Sequence, residues 1–145
     1  MNTIKALNEL IELDYDAIEA YRAAIERIDS QTYKAALNTY CGDHERHTQN
    51  VGEVVRALGG TPAQGPDMKK YLTKGKVVIA DLVGDDHAIL TAMLMNEEVT
   101  NKAYEAALKL ELGAGARSVV EANLTDERRH RAWIQAQLEA AKAKA

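Results

Sequence analysis

Residues 43–47 of the chain are DHERH, and residues 126–130 are DERRH. The two stretches are nearly the same, with glutamate at the second position where the first has histidine. His44 and His47 are three residues apart, as are Glu127 and His130, so each pair lies on one face of a helix. The fold depends on whether these two faces point at each other.

A single offset of 83 residues relates the two halves of the chain. It maps Asp14 onto Glu97, Tyr21 onto Tyr104, and DHERH onto DERRH. The same offset aligns the segment YRAAI with YEAAL. The chain therefore contains two similar halves, in which polar positions repeat together with apolar ones.

Four long segments have inward residues at alternating steps of three and four, the spacing of a helix packed in a bundle. Helix-forming residues dominate the composition, with two prolines and no phenylalanine, which favours an all-α protein. Asp85 is expected to be the N-cap of the third segment. The predicted helices cover about Asn2 to Asp29, Gln31 to Leu58, Asp85 to Gly113 and Ala116 to Ala143.

The connections between these helices predict their topology. Short turns near residues 30 and 113 make two antiparallel hairpins, and residues 61–84 form a long connection. A short helix is expected within it, around Met68 to Leu82. Helices of this length span about 40 Å, which the long connection can cross. Short, long and short connections are typical of a four-helix bundle with one crossover, and residues 1–145 are expected to form a single domain.

Six ionisable residues fall on the inward seams at one depth of this bundle. The first helix of each hairpin places a carboxylate 16 residues before the turn, and the second places its pair 14 and 17 residues after it. At a helical rise of 1.5 Å, their heights differ by only about 3 Å. Positions 44 and 47, rather than 43, 45 or 46, are predicted to face inward. The six residues are Asp14, His44, His47, Glu97, Glu127 and His130.

Any one of these six could be a hydrogen-bonded polar residue of an ordinary core. Together they are costly, because each buried charge without a partner costs several kcal/mol. Carboxylates combined with imidazoles are ligands suited to iron, manganese or zinc. The sequence therefore predicts a buried site for one or two divalent metal ions.

The segment Glu127-Arg128-Arg129-His130 matches the Glu-x-x-His motif of ferritin-like di-iron carboxylate proteins such as rubrerythrins and bacterioferritins. The chain resembles this family everywhere except residues 61–84, and it is similar to a small bacterial subgroup with Leu-x-x-Leu-Ile-Glu near the start. The resemblance implies a ferritin-like four-helix bundle with one crossover.

The resemblance also implies roles for individual residues. Asp14 and Glu97 would be the single carboxylate ligands, Glu127 a bridging carboxylate, and His47 and His130 terminal ligands. The two seam tyrosines would be hydrogen-bond partners of the ligands, or else ordinary core aromatics; they are Tyr21 and Tyr104.

The implied activity is redox chemistry at the metal, either Fe(II) oxidation or peroxide reduction, with O2 or peroxide as the partner. Such a ferroxidase- or peroxidase-type oxidoreductase would serve metal handling or a stress response. Iron is the first expectation for the metal, with manganese and zinc as alternatives.

Helix 1 departs slightly from the family pattern, because Asp14 is shorter than the usual glutamate. Glu19 is the alternative ligand on this helix, although Glu12, Asp16 and Glu19 lie off the apolar seam and are expected to face solvent. In helix 3, Glu98 competes with Glu97, but both the seam and the 83-residue offset favour Glu97.

His44 is the more serious departure, since the family has glutamate at this position. Two divalent cations bring four positive charges, and the predicted site offers three carboxylates. An asymmetric or nitrogen-rich site is therefore expected. It could be a dimetal centre with an added hydroxide or oxo anion, a single metal ion, or a site for a metal other than iron. A non-catalytic stress or binding protein whose site is degenerate and metal-free also remains open.

Other features of the sequence exclude several classes of protein. The net charge is −4 with both signs interspersed, so nucleic acid is not an expected partner. Acidic residues interrupt the apolar pattern at the N-terminus, which argues against a signal peptide or a membrane span. The single Cys41 fits a reducing compartment, so a cytoplasmic location is expected. A homodimer is the expected form of self-association.

Overall fold

The computed structural model describes residues 2–66 and 84–144, and over those residues it contains four α-helices and no β-strand. The all-α prediction is confirmed, while the short helix expected around Met68 to Leu82 lies outside the described residues. None of the four helices is long and apolar enough to cross a membrane. The helices are α1 (Thr3–Arg27), α2 (Gln31–Ala57), α3 (Asp86–Ala107) and α4 (Ala114–Lys144).

The four helices pack as a bundle of two hairpins. Within the hairpins α1 contacts α2 and α3 contacts α4, and between them α1 packs on α3 and α2 on α4. The segment between α2 and α3 is the long connection, so the order of short, long and short connections is that of a bundle with one crossover.

The start of α3 is fixed by two adjacent aspartates. Asp85 is the predicted N-cap and accepts a hydrogen bond from the backbone N–H of Ala88 at 3.1 Å. The Asp86 carboxylate accepts hydrogen bonds from the backbone N–H groups of Asp29 and Ser30, at 2.8 and 2.9 Å. The second hairpin is therefore tied at its first turn to the α1–α2 connection.

The end of α3 differs from the prediction, because the helix stops at Ala107 rather than near Gly113. The backbone N–H groups of Lys109 and Leu110 donate to carbonyls three residues earlier, and the Arg117 guanidinium donates to the Leu110 carbonyl at 3.0 Å. The sequence has no glycine or proline between positions 107 and 113, so its pattern contains no signal for the earlier end.

Two apolar clusters fill the bundle, and the six ionisable residues predicted to face inward lie between them along all four helices. All six of these side chains have 0% exposure. One cluster, toward the α1–α2 turn, includes Tyr21, Leu37, Leu90, Met93 and Ile134. The other, toward the opposite end, includes Leu7, Ile11, Val51, Val120 and Leu124. Apolar packing on both sides therefore excludes water from the polar level.

Candidate metal centre

The six predicted residues meet in one ring at the centre of the bundle. They form two groups, within each of which one nitrogen or oxygen atom per residue lies within 4.8 Å of the others. His44 and Glu127 belong to both groups. The Asp14 half consists of Asp14, His44, His47 and Glu127, and the Glu97 half consists of His44, Glu97, Glu127 and His130. The carboxylate and the histidine that belong to one half only are called the private ligands of that half.

In the Asp14 half, two imidazoles and two carboxylates converge. His47 Nδ1 lies 3.3 Å from both Asp14 Oδ1 and Glu127 Oε1. His44 Nδ1 lies 2.7 Å from the same Asp14 oxygen. Four donor atoms from three helices therefore surround one position.

The Glu97 half has the same composition. His130 Nδ1 lies 3.4 Å from Glu97 Oε1 and 3.8 Å from Glu127 Oε2. His44 Nε2 is 3.1 Å from Glu97 Oε2. A second set of two imidazoles and two carboxylates therefore lies beside the first.

Three buried atoms of the ring make no hydrogen bond within the described part of the chain: Glu97 Oε1, Glu127 Oε1 and His130 Nδ1. A buried polar atom without a partner costs about 1–3 kcal/mol. Each of the three instead faces another potential metal ligand of the ring. Mixed nitrogen and oxygen donors suit iron, manganese and zinc, so the ring fits a site for divalent metal.

Each private histidine donates a hydrogen bond, from the nitrogen that faces away from the ring, to an aspartate of the opposite hairpin. His130 Nε2–H donates to Asp43 Oδ2 at 2.7 Å, and His47 Nε2–H donates to Asp126 Oδ2 at 2.9 Å. Burial raises the pKa of both aspartates, but hydrogen bonds from the histidine and from Arg129 outweigh it, so both pKa values are lowered. Because the ionised aspartates can only accept, they leave each Nδ1 pointing into the ring.

Two arginines in turn hold this pair of aspartates. The Arg129 guanidinium donates to Asp43 and to Asp126, both at 2.9 Å, and Arg46 also donates to both. The expectation that position 43 faces away from the bundle was wrong, because Asp43 is buried between α2 and α4. The 83-residue repeat carried the missed signal, since it maps Asp43 onto Asp126 and Arg46 onto Arg129.

The two tyrosines also cross between hairpins. Tyr21 donates its hydroxyl to Glu97 Oε2 at 2.8 Å, and Tyr104 donates to Asp14 Oδ2 at 2.6 Å. Burial and the adjacent carboxylate raise the pKa of both phenols well above the ordinary value. Both tyrosines therefore stay neutral donors that orient the private carboxylates.

Glu127 has hydrogen-bond donors that the sequence reasoning missed. Thr100 donates its hydroxyl to Glu127 Oε2 at 3.2 Å, and the Asn101 amide donates to the Glu127 backbone carbonyl at 3.1 Å. Both are buried on α3, where Asn101 lies on the predicted seam and Thr100 is the residue before it. Short polar residues beside a buried carboxylate were the available signal.

The pKa shifts indicate where the protons of the metal-free ring lie. Burial opposes charge on His47, but the adjacent carboxylates of Asp14 and Glu127 raise its pKa to about 10. Burial likewise opposes charge on His44, yet the surrounding carboxylates raise its pKa well above the usual value. Burial raises the pKa of Glu127 to about 8. Burial raises the pKa values of Asp14 and Glu97, but the adjacent histidines outweigh it, so both pKa values are lowered.

The competing carboxylates lie outside the ring. Glu19 is exposed, and Glu98 is partly buried with an oxygen 3.8 Å from Arg131. Asp16, which we expected to face solvent, is buried instead. Because α1 packs against both α2 and α3, its buried arc is wider than a single seam and reaches this residue.

Comparisons with known proteins place the chain among helical bundles. Residues 2–110 match the family described as "Domain of unknown function (DUF2383)". A ferritin-like di-iron carboxylate protein from Bacillus anthracis str. Ames is similar, with 22% identity, 94% of each chain covered and a TM-score of 0.75. A dodecameric thioferritin from Bacteroides fragilis, described as bacterioferritin-related, has 17% identity, coverage of 98% of this chain and 88% of its own, and a TM-score of 0.80. A search of curated proteins found no match. The predicted ferritin-like fold is confirmed.

Proposed function

The chain belongs to the family described as Domain of unknown function (DUF2383), and we propose that it binds divalent metal in the six-residue ring for iron or peroxide redox chemistry. One observation carries this proposal: three fully buried ligand-type atoms face the ring and make no hydrogen bond within the described residues. Together with the two sets of two carboxylates and two imidazoles, they are ligand atoms of the kind that divalent ions bind.

The proposed ligands divide between the two halves. Asp14 and His47 would serve one ion, Glu97 and His130 the other, and Glu127 both, since its two oxygens face different halves. When bound, the ions would supply the electrons and the open positions at which O2 or peroxide reacts. We take iron as the first metal to test, because the Bacillus anthracis protein of this fold is described as a di-iron carboxylate protein.

The remaining residues of the site would orient the ligands and keep the reaction dry. The Asp43–His130 and Asp126–His47 hydrogen bonds fix which imidazole nitrogen faces the metal. Tyr21 and Tyr104 hold one oxygen of each private carboxylate. The apolar clusters on both sides exclude water, which strengthens every charge interaction within the ring.

Aerobic addition of Fe(II) to chelator-treated protein tests the proposal. We expect a ferric-oxo absorbance to develop at a fixed ratio of iron to protein, and elemental analysis to find bound metal after desalting. The double variant Glu127→Ala/His130→Ala should lose both signals. The exposed His87→Ala variant, which removes an imidazole outside the ring, should keep them. Equal signals from wild type and the double variant would refute the proposal.

A second function is favoured by one feature of the ring. His44 hydrogen bonds to both Asp14 and Glu97, so these two carboxylates have a partner without any ion. A stress or binding protein with a metal-free bundle would have this arrangement. For such a protein, adding a chelator should leave the midpoint of thermal unfolding unchanged. A metal site filled at about 1,000 times its Kd contributes about 4 kcal/mol, so chelation would lower the midpoint by roughly 10 °C.

Self-association, a cytoplasmic location and a role in stress response stay predictions. Met95 and Val99, which are 54% and 47% exposed, lie four residues apart on α3 and support the proposal that this face packs on a second copy. Light scattering of wild type and of the double variant Met95→Lys/Val99→Lys measures the oligomeric state directly. An equal mass for both proteins would exclude this face as the contact.

A further inference from the structure

His44 faces the two halves of the ring with different nitrogen atoms. Its Nδ1 lies 2.7 Å from Asp14 Oδ1 in one half. Its Nε2 lies 3.1 Å from Glu97 Oε2 and 3.5 Å from Glu127 Oε2 in the other half. His47 and His130 differ from it in this respect, because each uses its Nε2 to bond an aspartate outside the ring.

Glu127 is related to both halves in the same way. Its Oε1 lies 3.3 Å from His47 Nδ1, and its Oε2 lies 3.8 Å from His130 Nδ1. The 83-residue offset maps position 44 onto position 127, so the two shared residues occupy equivalent places in the two hairpins. A carboxylate has two oxygens with which to join two ions, and an imidazole has two nitrogens.

The residues of α1 that are equivalent to Thr100 and Asn101 offer no side-chain hydrogen bond to His44, so both of its ring nitrogens face the metal-binding ring. The offset maps Ala17 onto Thr100 and Ile18 onto Asn101, the two residues that donate hydrogen bonds to Glu127. Ala17 and Ile18 are buried and have no polar side-chain atom. Both hydrogen bonds that His44 makes among the described residues go to carboxylates of the ring.

We propose that His44 is a bridging ligand that binds two metal ions at once, one through Nδ1 and the other through Nε2. The inference rests on the proposed metal-binding function and concerns how the same site holds a second ion. Two nitrogen–metal bonds form while both ring protons leave to solvent, and no oxidation state changes. The resulting imidazolate carries one negative charge.

Charge balance gives this arrangement its physical reason. Two divalent ions bring four positive charges, whereas Asp14, Glu97 and Glu127 provide three negative charges when ionised. An imidazolate at His44 provides the fourth. Because the site is fully buried, an unbalanced charge would be costly, and the shared histidine removes that cost without a fourth carboxylate.

Metal stoichiometry of the full chain, loaded with Co(II) under nitrogen and desalted, tests the inference. We expect two ions per chain for wild type and one for His44→Ala, which loses the ligand common to both positions. His44→Glu restores a two-atom anionic bridge and should return to two ions. His87→Ala removes the one histidine outside the ring and should keep two.

A crystal structure of the Co(II)- or Zn(II)-loaded wild type decides the matter without any variant. We expect each nitrogen of His44 at about 2.0–2.1 Å from a different ion. Two ions with His44 bound through one nitrogen, or two ions in His44→Ala as in wild type, would overturn the bridge but leave the proposed function standing. No bound ion in wild type under either metal would overturn both.

Discussion

The Asp14 half and the Glu97 half of the ring are built on one plan. Each has a private carboxylate that accepts from a tyrosine of the other hairpin, Tyr104 for Asp14 and Tyr21 for Glu97. Each also has a private histidine held by an aspartate of the other hairpin. The two hairpins therefore complete each other, because these tyrosine and aspartate partners always come from the hairpin opposite the ligand they hold.

The two hairpins differ at the residues that the halves share, because the first hairpin supplies His44 where the second supplies Glu127. The difference extends to the neighbouring helix. Glu127 accepts a hydrogen bond from the Thr100 hydroxyl. The 83-residue offset places Ala17 at the position equivalent to Thr100 in the first hairpin. A buried carboxylate needs donors, whereas an imidazole brings its own N–H groups. The replacement is therefore matched by its surroundings, as expected for a ring that uses His44 rather than one that merely tolerates it.

The largest expected effect comes from removing a private carboxylate. In metal-free protein at pH 7, Glu97→Ala should lower the free energy of unfolding by about 3–5 kcal/mol, because it leaves buried histidines without their counter-charge. Urea unfolding measures this loss. The adjacent Glu98→Ala, which removes a half-exposed ion pair with Arg131, should cost less than about 1 kcal/mol. Similar losses for the two variants would show that the ring carries no special charge interaction.

The pH dependence of metal-free protein tests the proton distribution between the halves. The pKa of His47 is raised to about 10, so its stabilisation is complete below about pH 6.5 and is lost as the pH rises to about 10. Glu127, with its pKa raised to about 8, adds a loss of the same sign between about pH 4.5 and 8.

Urea titrations at several pH values should therefore give a free energy of unfolding that falls above pH 6.5, by at most about 1.4 kcal/mol per unit for each group. His47→Gln should flatten the upper part of this slope. His87→Gln controls for the loss of an exposed imidazole. A slope that is the same in wild type and His47→Gln would contradict the assignment to the Asp14 half.

A double-mutant cycle can make the two hairpins alike at the shared position. His44→Glu should destabilise metal-free protein, because the new carboxylate has no hydroxyl donor, and Ala17→Thr alone should cost about 1–3 kcal/mol by overpacking. Together they recreate the Thr100–Glu127 pair, so we expect a favourable coupling of about 0.5–3 kcal/mol. Thermal or urea unfolding of the four proteins gives the coupling, and additive losses would argue against the donor as the reason for Thr100.

A smaller effect than that of Glu97→Ala is expected from the aspartates behind the histidines. Asp43→Asn and Asp126→Asn should each weaken metal affinity about 10- to 100-fold, since each loosens one imidazole of the ring. Competition with a coloured chelator measures the affinity. Because the two hydrogen bonds are equivalent, the two variants should match within a few-fold. A much larger loss in one variant would show that the halves bind metal unequally.

Much of this architecture could be predicted from the pattern of the chain. The spacing of three and four predicted all four helices, and the 83-residue repeat selected the six ring residues. The end of α3 at Ala107 and the burial of Asp16 could not be predicted in this way. The burial of Asp16 depends on how α2 and α3 cover α1, and the end of α3 coincides with a turn at residues 109–110 and a hydrogen bond from Arg117. A single-helix pattern records neither.

The sequence by itself determined which side chains face inward and at what depth, because helical rise and periodicity are local properties of the backbone. Only the tertiary structure decided which of them touch. Asp43 bonds His130 and Tyr21 bonds Glu97 across hairpins because helix rotation and separation bring those atoms together. The same packing places the two nitrogens of His44 in different halves of the ring, which its place in DHERH could not reveal.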